Sequence, residues 1–72
     1  SNDEGTIVVS IYVNAQGKVT QAAATPSGSR GTAYANLTLR ARAEAAARKA
    51  VFERKPGAVT ERGTITYYFR QN

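Results

Sequence analysis

Few residues of this chain have the types and spacing that catalysis or metal binding requires. The 72 residues include no Cys and no His, which removes the thiol nucleophile, the commonest general base and the commonest metal ligand. The five acidic residues are scattered, without the spacing of paired carboxylates or of a metal site. The Ser and Tyr hydroxyls have no base to activate them. The sequence therefore predicts that the protein is not an enzyme and uses no metal or cofactor.

The net charge and the remaining sequence motifs limit the partners that the protein can bind. Ten Lys and Arg against five Asp and Glu give a net charge of +5, which permits an anionic partner but is more often a solvated basic surface. Residues 28–31, reading GSRG, lack the Gly-Lys-Ser/Thr ending of a phosphate-binding loop. No apolar run approaches the ~20 residues that a membrane span needs. Composition therefore argues against a phosphate-binding loop and a membrane span.

Three segments have the alternating pattern of β-strands. Thr6–Asn14 alternates strongly and Lys18–Thr25 more weakly, and Gly17 between them can take the positive φ of a short hairpin loop. A third strand is predicted over Thr64–Arg70. The faces expected to be buried carry Ile7, Val9, Ile11, Val13, Ile65, Tyr67 and Phe69.

One helix is predicted between the second and third strands. Leu37–Val51 is rich in Ala, Arg and Glu and free of Gly and Pro, and Asn36 precedes it as a plausible N-cap. Phe52 is expected to follow as a core residue, and Pro56 ends the helical segment. The preceding segment Pro26–Ala35 is predicted to be a loop. At 100° per residue, the buried stripe of the helix is expected to contain Leu39, Ala43, Ala46 and Ala50.

This order of elements predicts an α+β domain over residues 6–70, with residues 1–5 disordered or the remnant of a tag. The third strand should return to pair with the first, because the two most apolar strands belong in the middle of the core. The result is a β-β-α-β fold: a three-stranded antiparallel sheet of order 2-1-3 with one helix on one face. Tyr12 and Tyr68 are expected to pack across strands on the other face.

The motifs resemble, in their order, the C-terminal domain of TonB, the energy transducer of the Gram-negative envelope. Gly5–Val19, reading GTIVVSIYVNAQGKV, resembles that family's first strand and turn. Leu37–Phe52, followed by Pro56, resembles its helix, which ends in an aromatic residue before a proline. Gly63–Phe69, reading GTITYYF, resembles the final strand of Bacteroidetes-type members.

The resemblance implies a periplasmic recognition module that binds the TonB box, a short extended segment of an outer-membrane TonB-dependent transporter. Binding would occur by strand addition at a sheet edge. The chain begins with Ser1 and contains no Met, so we expect a piece of a longer protein. Its missing N-terminal part would anchor it in the inner membrane and contact a proton-motive complex there. The residues expected to bind the peptide are Arg62, Thr64, Ile65, Thr66, Tyr67, Tyr68, Phe69 and Arg70.

Three alternatives stay open at this point. The same domain could be appended to another envelope protein, such as a membrane sensor, a peptidase or a TolA-like relative. Its free edge could instead pair with a second copy, giving a homodimer. Residues 62–69 also echo the RNP1 pattern of RNA-binding domains, but Thr64 and Thr66 occupy the positions that require stacking aromatics. We therefore expect no nucleic-acid partner.

Overall fold

The computed structural model describes residues 2–57 and 59–71 of the chain. Its elements, in chain order, are β1 (Gly5–Val13), β2 (Val19–Gly31), a 3-10 helix (Ala33–Ala35), α1 (Leu37–Lys49) and β3 (Glu61–Phe69). The strands form one antiparallel sheet of order β2-β1-β3, with the helix packed on one face. The predicted α+β fold and strand order are confirmed, and β3 lies at an edge.

The β1–β2 hairpin is held by its turn residues. Asn14 Oδ1 accepts hydrogen bonds from the backbone N–H groups of Gln16 and Lys18, each at 3.0 Å. Gly17 takes the predicted positive φ of +84°, and a Cβ at this position would collide with the carbonyl oxygen of Phe52. The carbonyl of Gly17 accepts from the N–H of Phe52 at 2.7 Å, which ties the segment after α1 to the hairpin.

The segment Pro26–Ala35 was predicted to be a loop, and this is wrong for most of its length. β2 continues through it to Gly31, and the 3-10 helix follows. The Pro and Gly residues cause a local excursion instead, in which residues 26–29 leave the ladder. Thr25 pairs with Val8, and pairing resumes only between Arg30 and Thr6. The Pro and Gly residues of this segment thus distort β2 but do not end it, because β1 pairs with it on both sides of the excursion.

Ser29 connects β1 to β2 at this excursion through its hydroxyl group. The N–H of Val8 donates to Ser29 Oγ at 2.9 Å, and the same hydroxyl donates to the carbonyl oxygen of Thr25 at 2.7 Å. A half-buried backbone donor on β1 therefore bonds to a side chain of the excursion.

The core is small and lies between α1 and the inner face of the sheet. α1 begins at the predicted cap, where Asn36 Oδ1 accepts from the N–H of Leu39 at 3.0 Å. The small Ala side chains on its buried stripe let the helix lie close to the strands. The buried residues are Ile7, Val9, Ile11, Ala33, Leu39, Ala43 and Ala47.

Two expectations about the helix are wrong. Ala46 is exposed and Ala47 is buried in its place, because a run of identical Ala residues gives no hydropathy difference that fixes the rotation of the helix. Phe52 is 41% exposed and does not fill the core. α1 ends at Lys49, and Ala50 is already extended at ψ 141°, which directs Phe52 toward the hairpin turn.

The outer face of the sheet does not pair its tyrosines. Tyr12 lies opposite Arg62, whereas Tyr68 lies opposite Thr6 and is 76% exposed. Six positions along a strand correspond to about 20 Å. The expected cross-strand packing of Tyr12 against Tyr68 is therefore wrong.

Residues 3–5 make contacts with the rest of the domain. Gly5 pairs with both neighbouring strands, and the N–H of Glu4 donates to Thr32 Oγ1 at 3.1 Å. Asn36 Nδ2 donates to Asp3 Oδ2 at 2.8 Å. These contacts attach residues 3–5, which the sequence placed outside the domain, to the start of the helical layer.

Candidate functional site

β3 presents one paired and one unpaired flank. It pairs with β1 over its whole length, from Glu61 opposite Val13 to Phe69 opposite Gly5, without a register shift. No other strand lies beside it in the part of the chain that the structure describes. The outer flank of β3, which we call the β3 edge, is the candidate site.

The hydrogen bonds of β1 determine which residues form the β3 edge. Val8 donates its N–H toward β2, to Ser29. In an antiparallel strand the N–H and C=O of one residue point to the same side, and successive residues alternate. Ile7, with the other odd-numbered residues of β1, therefore bonds to β3.

The same alternation then applies to β3. Tyr67 and Ile65 lie opposite Ile7 and Val9, so their backbone groups bond to β1. The backbone N–H and C=O groups of the residues between them point away from β1. Within residues 2–57 and 59–71, no backbone bond outside the strand ladders reaches these groups. The β3 edge consists of the N–H and C=O groups of Arg62, Thr64, Thr66 and Tyr68.

The opposite edge of the sheet, on β2, is partly blocked. Ala24 lies opposite Val9, and its N–H donates to Glu44 Oε2 of α1 at 2.8 Å instead of to a strand. Pro26, further along β2, has no N–H to donate, and the excursion that starts there interrupts the ladder. A regular row of free donors and acceptors therefore exists on β3 and is broken on β2.

The helix covers the two edges unequally. α1 packs mainly on β2 and less on β1, so β3 lies beyond the helical layer. The inner-face side chains of β3 are consequently only half-buried, although they contact the core: Ile65, Tyr67 and Phe69. A further strand beside β3 would bury more of this apolar surface, at roughly 25 cal/mol per Å².

Two arginines flank the β3 edge without an acidic partner. Arg62 places its guanidinium over the ring of Tyr12, 5.5 Å from the centroid, and Arg70 follows the last residue of β3. Neither forms a salt bridge in the described part of the chain, whereas Lys55 is paired with Glu61 at 3.1 Å. Carboxylates on an incoming segment would therefore find both guanidinium groups available.

The structure gathers all eight predicted site residues on one strand or at its end. Their roles differ, since half of them direct backbone groups to the β3 edge and Ile65, Tyr67 and Phe69 direct theirs to β1. Sequence reasoning missed Glu44, whose carboxylate acts on a strand twenty residues away. It also missed an apolar groove between the start of β3 and Phe52. No local pattern marks either feature, because both depend on tertiary approach.

Comparisons with family models, with curated proteins and with solved structures returned no match. Among the described residues, no group of His, Cys, Asp or Glu is arranged to hold a metal ion. No helix in that part of the chain has the length and apolar composition needed to cross a membrane. The β3 edge is therefore the feature of the described residues from which a function can be inferred.

Proposed function

We propose that this chain is a peptide-binding module that captures an extended segment as a fourth strand on the β3 edge. The observation that carries the proposal is the difference between the two edges. The β3 edge offers a regular, unpartnered row of backbone groups, whereas Glu44 and the excursion at Pro26 interrupt the β2 edge. Main-chain hydrogen bonds would supply affinity, and alternate side chains would supply selectivity.

The resemblance to TonB C-terminal domains gives this proposal its partner. The captured segment would be the TonB box of an outer-membrane transporter, and the domain would work in the periplasm. The rest of the protein would hold it at the inner membrane, beside a proton-motive complex. In that role the module recognises the transporter and does no chemistry of its own.

The side chains around the β3 edge support an extended ligand more than a folded one. An added strand would place alternate side chains beside the half-buried Ile65, Tyr67 and Phe69. The residues between would lie on the outer face, where Arg62 has no carboxylate partner among the described residues. A ligand with apolar residues in alternation and at least one acid therefore complements this strand.

The proposal is tested by replacing Thr66 with Pro. This change removes an N–H that points to the β3 edge and leaves the β1 ladder intact, a position where edge strands tolerate Pro. We expect binding of peptides from transporter periplasmic segments, measured by calorimetry, to weaken roughly tenfold or more. Thr66→Val is the matched control, because it keeps the N–H and the β-branched shape, and it should bind like the parent.

Unchanged binding by Thr66→Pro, with a folded domain confirmed by circular dichroism, would show that capture occurs elsewhere. Binding should also persist at moderate salt. A steep linear loss of affinity with the logarithm of salt concentration would instead indicate release of counterions from a nucleic acid. A second copy could instead already occupy the β3 edge, and sedimentation of the free protein would then show a dimer.

A further inference from the structure

An apolar groove lies at one end of the β3 edge and has no part in the proposed main-chain capture. Its volume is about 290 Å³, near the lower limit of the ~300–1,000 Å³ of ligand clefts. This is room for one or two side chains and not for a large cofactor. The apolar part of the lining includes Ile11, Val13, Phe52 and Val59, and the charged part includes Glu53, Lys55, Glu61 and Arg62. We call it the end groove.

The end groove exists because two parts of the inner face are left uncovered. α1 ends at Lys49, and the chain then leaves the helix in extended conformation. Gly63 lies opposite Ile11 on the inner face and has no side chain to cover it. A Cβ at Gly63 would meet only Ile11 Cγ1, at 3.9 Å, so the space beside Gly63 is open. Phe52 and Val59, which border the groove, are 41% and 80% exposed.

We propose that the end groove receives one large apolar side chain of the captured segment, and that the residue next to it in that segment is acidic. The inference rests on the proposed function and specifies the ligand. A strand beside β3 places the side chain nearest Gly63 on the inner face, directly over the groove. Its neighbour in sequence must then point to the outer face, where Arg62 has no salt-bridge partner within residues 2–57 and 59–71.

Charge favours an acidic segment of another protein over a second copy of this chain. Each copy carries a net charge of +5, and a second β3 would bring another Arg62 and Arg70 to the same edge. The acid of β3, Glu61, is already paired with Lys55. Two copies would therefore repel at the edge, whereas an acid next to an apolar anchor would pair with Arg62.

The probes for this inference are synthetic nine-residue peptides of alternating Thr and Val in which one Phe is moved from position to position. A second set adds one Asp before or after the Phe. Binding is measured by fluorescence anisotropy. We expect one preferred Phe position, at which the peptide binds roughly tenfold tighter than the Thr/Val peptide without Phe, because the ring becomes buried. An adjacent Asp should tighten binding further, and this gain should disappear in Arg62→Gln.

Gly63→Val fills the end groove from within. Gly63 does not have a positive φ and its surroundings are open, so the variant should fold. It should bind the Thr/Val peptide without Phe like the parent protein does, and it should lose the preference for Phe. Gln21→Val places the same side chain at an exposed position of β2, outside the groove and away from the β3 edge, and should keep that preference. Phe52→Ala, which removes one side of the groove, provides a second variant and should weaken the preference.

The outcomes separate the two proposals. If no peptide binds, strand capture itself is wrong. If peptides bind but no Phe position is preferred, or if the preference survives in both Gly63→Val and Phe52→Ala, the end groove is not an anchor site while strand capture stands. If sedimentation shows a dimer that dissociates in Gly63→Val, the occupant is a second copy, and the proposed acidic ligand is wrong.

Discussion

At the scale of single residues, Asn36 connects the start of α1 to the N-terminal segment. Its Oδ1 caps the helix by accepting from Leu39 N–H at 3.0 Å, and its Nδ2 donates to Asp3 at 2.8 Å. Replacing Asn36 with Ala removes both bonds. We expect a loss of about 1 kcal/mol from the cap alone, measured by urea unfolding followed by circular dichroism.

Asn36→Ser separates the two contributions of this residue. Serine keeps a capping oxygen but has no amide to donate to Asp3, so this variant should recover most of the loss. If Ser and Ala at position 36 were equally destabilising, the contact with Asp3 would dominate and the cap would contribute little.

At the scale of elements, the rotation of α1 decides which alanines contact the sheet. Ala47 is fully buried, whereas Ala46 beside it is exposed. Ala47→Leu should therefore overpack the core and cost about 1–3 kcal/mol. Ala46→Leu should change the unfolding free energy by no more than about 0.5 kcal/mol, as is usual for a surface position. The reverse order in chemical unfolding would mean that the helix is turned as its sequence pattern had indicated.

The elements also show which features the sequence could predict. The strands, their order, the Gly17 turn and the Asn36 cap follow from periodicity and from turn and cap chemistry that acts within a few residues. The Ala-rich helix gave no such signal for its rotation. The course of β2 past Pro26 depends on pairing with β1, and Ser29 and Glu44 act across 21 and 20 residues of sequence. Strand placement made the β3 edge predictable, but the end groove depends on where the chain goes after α1.

At the scale of the whole molecule, one sheet carries two edges of different character. α1 lies toward β2, and its Glu44 reaches the outer flank of that strand at Ala24. β3 is left without a covering element in the described part of the chain. An uncovered edge is an aggregation hazard unless charge or a partner occupies it. In our proposal the arginines at both ends of β3 and the net charge of +5 oppose self-pairing and favour an acidic strand at this edge.

Amide hydrogen exchange measures the difference between the β2 and β3 edges in the unmodified protein. Along β3 we expect alternation: the N–H groups of Ile65 and Tyr67 are protected by β1, while those of Thr64 and Thr66 exchange fast. Ala24 on the other edge should be protected, because Glu44 accepts its N–H. Adding a peptide that binds should protect Thr64 and Thr66 and leave Ala24 unchanged.

Uniform protection along β3 in the free protein, lost on dilution, would mean that a second copy already pairs there. Uniform protection that is independent of concentration would mean that this polypeptide covers its own edge, which would exclude capture at β3.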